Sequence, residues 1–406
     1  MKVPFFIFIY LLVLVKSTVS AESVFQGLFR PGPINGITDV EGVAVAHMTK
    51  ISGEGELHPG IGPIRTGATA ILPSRDIWEK RFSSATYTLN GNGELTGTHL
   101  IEESGFLNVP VILTDTLDVG RAYDGVVSWI LEHYPQSGVS EDVPLPVVGE
   151  CDDQFLNDIQ GRHITADDIQ ILLNRASSGQ FERGNVGAGT GMILFGFKGG
   201  IGSASRILKK EQGGYTVGVL VNANNGSQPK RDLIINGVSI GQILEKKSLP
   251  AFQNRELKDS LNQQPHKKIP DGSMMIVIAT DAPLEARQLR QIAKRAFLGF
   301  GRTGLTSNIS SGDFAIAFST THWITRDNNY SLAALETHDD RMNALFEATA
   351  EATQAAIYDA LFSARTMVGA GGRTVYGIPV DQVQEMLTNA SSFQKDMNAA
   401  KENKKE

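Results

Sequence analysis

Five short stretches carry side chains whose types and spacing could do chemistry. The first is Gly272-Ser273, set between the polar approach Ile269-Pro270-Asp271 and the apolar run Met274 to Thr280. That run is predicted to be a buried strand. A serine at its mouth can be a nucleophile, or simply the first residue of a strand after a turn. The second is Glu150, which closes Pro144-Leu145-Pro146-Val147-Val148-Gly149. A carboxylate at the end of a buried strand is costly unless it is paired or faces a cleft. The third is Asn224, at the end of the strand predicted from Tyr215. Its amide can aim into a cleft and hold an oxyanion, or Asn224-Asn225-Gly226 can be plain turn chemistry. The fourth, Ser310-Ser311-Gly312-Asp313, again puts polar groups immediately before an apolar strand, Phe314 to Thr320. The fifth, Gly237-Val238-Ser239-Ile240-Gly241, fits the G-x-S-x-G nucleophile elbow. Asn236-Gly237 before it predicts an ordinary hairpin turn instead.

The elements that must position these groups are mostly strands. Val43 to His47, Thr66 to Pro73, Val109 to Leu113 and Met192 to Phe197 read as further strands, and Val119 to His133 has helical spacing. Thr165-Ala166-Asp167-Asp168 is a capped helix start, and Leu332 to Arg365 reads as a long helical stretch broken once. Asn90-Gly91-Asn92-Gly93 predicts a loop with several positive-φ residues that brings backbone N–H groups against a partner strand or a ligand. The glycine-rich stretch Gly184 to Gly191 is not a phosphate loop. Such a loop follows a strand and opens a helix, whereas this one precedes a strand and lacks the Lys-Ser/Thr that should follow. Lys246 to Lys268 is polar and aperiodic and reads as an exposed linker ending just before Ser273. The Lys-rich tail from Gln394 reads as frayed.

Composition narrows the classes. Of 406 residues, the first 21 have one early lysine, an apolar core from Val3 to Val15 and small residues up to Ala21. This is the pattern of a secretory signal, too short to span a bilayer comfortably. Export to the periplasm or medium follows, with no membrane attachment once the leader is removed. Loss of Lys2 and Lys16 takes the formal charge from −7 to −9, which argues against nucleic acid as a partner. The remaining length suits one large domain or two moderate ones. Cys151 is the only cysteine, so no internal disulfide is expected. The eight histidines are scattered without a metal-ligand spacing, so no metal or organic cofactor is implied.

Taken in order, several segments resemble the DmpA-type aminopeptidases, the group of L-aminopeptidase/D-esterases and β-peptidyl aminopeptidases. They are Asn90-Gly91-Asn92-Gly93-Glu94 with Thr96-Gly97-Thr98, Gly189-Thr190-Gly191-Met192, Phe197-Lys198-Gly199-Gly200-Ile201-Gly202, Val217 to Val221, Gly272-Ser273, Ala279-Thr280-Asp281-Ala282-Pro283 and Arg302-Thr303-Gly304. The similarity runs from about Gly27 to about Val380. It implies a four-layer α/β/β/α sandwich made as a precursor that cuts itself at Gly272–Ser273. The expected organisation is a leader over 1–21, a larger subunit over 22–272 and a smaller one over 273–406, associated in a closed homo-oligomer. The resemblance makes Ser273 the nucleophile and new N-terminus, Ser311 and Asp313 its accessory pair, and Asn224 the oxyanion donor. It makes Glu150 the group that binds the substrate's ammonium. The substrates implied are short peptides, amino-acid amides or esters with a free amino group, β-peptides among them. One departure stands out in Glu150-Cys151-Asp152-Asp153-Gln154. Asp152 occupies a position where the family usually has an aromatic, and Gln154 replaces a glycine, which predicts a more acidic pocket for the substrate's first residue.

Two other function classes compete. One is a Ser-His-acid esterase built on Ser239, with His266, His322 or His338 as its base. The other is a non-enzymatic exported binding protein of the same fold.

Overall fold

A computed structural model of the chain describes residues 25, 27–246, 272–326, 335 and 340–390. The leader, the linker from 247 onward, the tail, His266 and His338 lie outside the described residues. In chain order the elements begin with β1 (Ala44–Ser52), β2 (Ile64–Leu72), β3 (Lys80–Gly91), α1 (Thr98–Ser104), β4 (Phe106–Leu107) and β5 (Val111–Thr114). Next come α2 (Val119–His133), β6 (Val147–Glu150), α3 (Ala166–Arg175), β7 (Ile193–Leu194), β8 (Phe197–Lys198), β9 (Gly200–Ile207) and β10 (Thr216–Asn224). The rest are α4 (Ile240–Lys246), β11 (Ser273–Thr280), α5 (Ala286–Arg302), β12 (Gly312–Thr325), α6 (Arg341–Ser363), β13 (Met367–Val368) and β14 (Thr374–Val375).

Two sheets stack between two helical layers, as expected for an α/β/β/α sandwich. The first sheet has the order β1-β2-β5-β6 and is covered by α2 and α3. The second has the order β4-β3-β12-β11-β10-β9 and is covered by α5 and α6. Strand β11 lies in the interior of the second sheet, antiparallel to β10 and parallel to β12. Its alternate residues point to opposite faces. Met275, Val277 and Ala279 pack into the core shared with the first sheet, and Met274, Ile276 and Ile278 pack against the helices. Burial on both faces is why the run has no polar alternation.

Local signals explain the helix positions. In α2 the buried Ala122, Val126, Trp129 and Ile130 recur at helical spacing. Helix α3 opens with a reciprocal cap: Thr165 Oγ1 accepts from Asp168 N–H (3.2 Å) and Asp168 Oδ2 accepts from Thr165 N–H (2.8 Å), an arrangement worth about 1 kcal/mol.

Two expectations are corrected. Met192 to Phe197 is not one strand. Phe195 (φ 51°) and Gly196 (φ 66°) turn the chain between β7 and β8 into a tight hairpin. Gly91 and Gly93 are not at positive φ; the need for Gly93 is close approach, since a Cβ there would lie 2.6 Å from Glu150 Oε1. Of the long helical stretch, Arg341 to Ser363 forms one continuous helix; most of 332–339, and with it the expected break, lies outside the described residues.

Candidate active site

Strand register brings the predicted residues to one end of the second sheet. Ser273, the first residue of β11, pairs with Asn224 on β10 and with Gly312 on β12. The residue is 5 % exposed, and its Oγ has no hydrogen-bond partner. A buried hydroxyl without a partner is uncommon in folded proteins and costs stability. The preceding carbonyl is not free: Gly272 O accepts from Gly312 N–H at 3.3 Å. A Cβ on Gly272 would lie 2.9 Å from both Asn224 O and Asn225 Nδ2, so no larger residue fits there without backbone movement.

Alternation along the strands sorts the remaining groups. Ser273 and Asn224 share the face that turns toward the first sheet, with Met275 and Leu220. Asn225, Ser311 and Asp313 fall on the helix-facing side, with Ala223, Met274 and Ala315. The two groups meet at the Gly272–Ser273 backbone. Asn224 is fixed at both ends of its amide. Its Oδ1 accepts from Ile193 N–H (2.8 Å), and its Nδ2 donates to Asp152 O (2.8 Å), which leaves one N–H uncommitted.

The Ile193 donor is held in turn by Lys198, which is fully buried. Its Nζ donates to Gly189 O (3.1 Å), Met192 O (2.7 Å) and Gly199 O (3.0 Å). Burial lowers its pKa to about 7, with Asp153 pulling the other way. Three carbonyl acceptors use all three N–H donors of an ammonium, so this geometry keeps the charged form.

Glu150, at the end of β6, is buried. Its Oε1 accepts from Glu94 N–H (3.2 Å) and its Oε2 from Thr116 Oγ1. Burial raises its pKa, Thr116 and Glu94 N–H oppose this, and the charges of Asp152 and Glu94 push it further up. No Lys, Arg or His among the described residues forms an ion pair with it. Asp152 is itself raised by burial, and its carboxylate is held by Gln154 N–H (2.8 Å) and Nε2 (2.5 Å). Asp152 thus lies close enough to Glu150 to set a second carboxyl group beside it at this end of β6. Cys151 is buried among these groups. Its thiol is pushed far up by burial, and also by Glu150 and Asp313, with the Ser273 hydroxyl acting in the opposite sense.

Asp313 Oδ2 accepts from Ser307 Oγ, and its Oδ1 is buried without a partner. Burial raises its pKa; Ser307, Ser311, the Asn225 amide and the Met274 backbone N–H oppose the rise. The carboxylate thus sits beside the peptide that follows Ser273. The Asn90–Gly93 loop braces this segment, mainly through its side-chain amides. Asn90 Nδ2 donates to Asn308 O and Asn92 Nδ2 to Ser310 O, each at 2.6 Å, and Asn92 N–H reaches Ser311 O. Sequence reasoning missed Thr116, Ser307 and Asn225. Only Asn225 gave a signal, a second buried-strand-end amide beside Asn224.

Ser239 is elsewhere. Asn236 (φ 51°) and Gly237 (φ 77°) form a tight turn closed by the Ile235–Val238 bridge, and no strand precedes the serine. The geometry is a hairpin turn rather than a nucleophile elbow. His322 Nδ1 bonds Leu284 O instead of a serine (2.8 Å).

Comparison with known proteins agrees with this layout. The sequence profile of peptidase family S58 matches residues 35–375. The β-peptidyl aminopeptidase BapA of Sphingosinicella xenopeptidilytica is 42% identical over 359 residues, 88% of each chain. The crystal structure of the PH0078 protein from Pyrococcus horikoshii OT3 superposes with a TM-score of 0.82 at 41% identity, covering 92% of this chain and 99% of that one. The L-aminopeptidase D-Ala-esterase/amidase from Ochrobactrum anthropi, described as a variant of the Ntn-hydrolase fold, gives 0.80 at 34% identity, with 92% and 99% coverage.

Proposed function

The chain belongs to peptidase family S58 and is a serine aminopeptidase, and from that premise we propose that Ser273 is its nucleophile, freed by cleavage of the Gly272–Ser273 bond. The observation that carries this reading is the buried, unpartnered Ser273 hydroxyl one residue after a carbonyl that Gly312 N–H already polarises. In the precursor, Oγ attacks the Gly272 carbonyl carbon and the Ser273 nitrogen leaves as an amine. Water then hydrolyses the resulting ester, leaving the Gly272 carboxylate and a free Ser273 α-amino group. With a pKa near ~8, that amine accepts the Ser273 hydroxyl proton in the second reaction. Oγ attacks the substrate carbonyl, the uncommitted Asn224 N–H receives the developing oxyanion, and Ser311 with Asp313 governs the amine's protonation. Glu150 binds the substrate ammonium. Collapse of the tetrahedral intermediate breaks the scissile bond, the Ser273 ammonium gives its proton to the departing amine or alcohol, and water then hydrolyses the remaining acyl-enzyme ester.

The substrates proposed are short peptides, amides and esters with a free N-terminal amine. The name of the Sphingosinicella relative supports including β-residues. Export rests on the composition of residues 1–21, and assembly of two-chain units into a homo-oligomer rests on the resemblance. No helix among the described residues is long and apolar enough to cross a membrane.

The deciding experiment is intact mass and N-terminal sequencing of purified protein beside Ser273→Ala. The wild type is expected to give a smaller chain beginning Ser273-Met274-Met275. Ser273→Ala should remain one chain and be inactive. An active enzyme that stays uncut through long incubation overturns the proposal.

A further inference from the structure

Asn225 follows Asn224 but serves the opposite face of the sheet. It is buried, and its Nδ2 donates to Ser311 Oγ at 3.4 Å. Its backbone lies so close to Gly272 that only glycine fits there. A hydroxyl that accepts one hydrogen bond keeps its own proton for another acceptor. The unpartnered, buried Asp313 Oδ1 is the acceptor on offer.

We propose that Asn225 is a positioning residue for the Ser311–Asp313 pair, its amide N–H holding the Ser311 hydroxyl so that the Ser311 proton is directed at the Asp313 carboxylate. This rests on the reading of Ser273 as nucleophile and adds to it. Asn224 serves the substrate oxyanion on one face of the sheet. Asn225 sets the proton inventory on the other. Among the described residues, the groups facing Asp313 are Ser307 and Ser311 from the preceding loop, Asn225 after β10, the Met274 N–H of β11 and the Cys151 thiol after β6. Beyond Cys151 stands Glu150, and after cleavage the Ser273 amine joins them. The amide is one of the donors that oppose the upward push of burial on Asp313. Its removal therefore moves ionisation of Asp313 to higher pH.

The test uses Asn225→Ala and Asn225→Asp in the full-length, processed enzyme. Each is checked for cleavage by mass and for folding by circular dichroism, and assayed on an aminoacyl p-nitroanilide across pH. For Asn225→Ala, kcat is expected to fall about three- to tenfold, the span of one neutral hydrogen bond. KM should stay within about twofold, and the acid limb should move to higher pH. Asn225→Asp keeps the shape and an acceptor but offers no donor and adds a charge beside Asp313. It should lose more activity than Asn225→Ala, with a larger shift of the limb. A merely structural role lowers the folded fraction and leaves the limb where it was.

A folded, cleaved Asn225→Ala with wild-type kcat and an unmoved acid limb overturns the proposal. Wild-type behaviour in Asn225→Asp does so as well, and it decides the matter if Asn225→Ala does not fold. Ser273→Ala separates the two levels. If it is active, the nucleophile assignment fails. If it is inactive while the Asn225 variants behave as wild type, only the role of Asn225 fails.

Discussion

Glu150→Gln tests how the enzyme recognises a free amine. In the fold, Glu150 Oε1 accepts from Glu94 N–H and Oε2 from Thr116 Oγ1. Glutamine can keep both contacts, its oxygen accepting from Glu94 N–H and its Nε2 donating to the Thr116 hydroxyl once that hydroxyl rotates. The variant should therefore fold and be cut normally. What it loses is the charge opposite the substrate ammonium. A hydrogen bond to a charged group is worth about 1.5–3 kcal/mol, which corresponds to roughly a ten- to hundredfold fall in kcat/KM. The assay is hydrolysis of an aminoacyl p-nitroanilide and of its N-acetyl form. Wild type should discriminate strongly between them and Glu150→Gln weakly. Stability supplies an independent readout. Burial raises the Glu150 pKa in the fold above its unfolded value. The folded state then binds the proton more tightly, so the ionised carboxylate costs stability as pH rises through the unfolded value toward the folded one. Glu150→Gln should melt at or above wild type near neutral pH, with the difference vanishing toward about pH 4. Equal hydrolysis of the free and acetylated substrates by wild type would refute ammonium recognition, and with it the role of Glu150.

Three further outcomes follow from the same geometry. Gly272→Ala should slow self-cleavage because its Cβ meets Asn224 O and Asn225 Nδ2 at 2.9 Å; intact mass over time measures this, and a wild-type rate argues that the strand end is looser than described. Asp313→Asn should fold and lose kcat by at least about a hundredfold, in keeping with a group that governs proton transfer, with little change in KM; unchanged kcat removes Asp313 from the site. Lys198→Met should destabilise by about 2–4 kcal/mol, since carbonyls of Gly189 and Gly199 lose a buried donor, as read by thermal melting; an unchanged Tm shows that water or a neighbour replaces the ammonium.

The residues proposed for the site drew notice at strand ends, while their roles came from the family resemblance. Glu150 stood out as an acid closing an apolar run, and Ser273 as a hydroxyl opening one. What stayed hidden depends on long-range pairing. Nothing local says that β11 lies parallel to β12 or that Asn224, Ser273 and Gly312 share one level. Strand β3 escaped notice because its buried middle is made of Ser83, Ser84 and Thr86; Ser84 Oγ satisfies itself on Ala317 O (2.9 Å), invisibly to any hydropathy pattern. Asn225 was half hidden for another reason: Asn-Asn-Gly reads as turn chemistry, so a turn signal concealed a hydrogen-bonding role. Ser307, at φ 56°, gave no signal.

The strand order of the second sheet bears on what a cut at Gly272–Ser273 does to the molecule. Residues after the cut supply β11 and β12, which are wedged between β3 on one side and β10 on the other. Every ladder bond of both seams survives the cut, so dilution alone should not part the two polypeptides. Unfolding is a different matter. The precursor folds as one chain, whereas the cut pair must find each other again and insert a two-stranded wedge into an open gap, a step that depends on concentration. Denaturation of the mature enzyme should then be a one-way event under conditions where the uncut Ser273→Ala protein recovers. Its persistence would be governed by how slowly it opens rather than by an equilibrium between folded and unfolded forms.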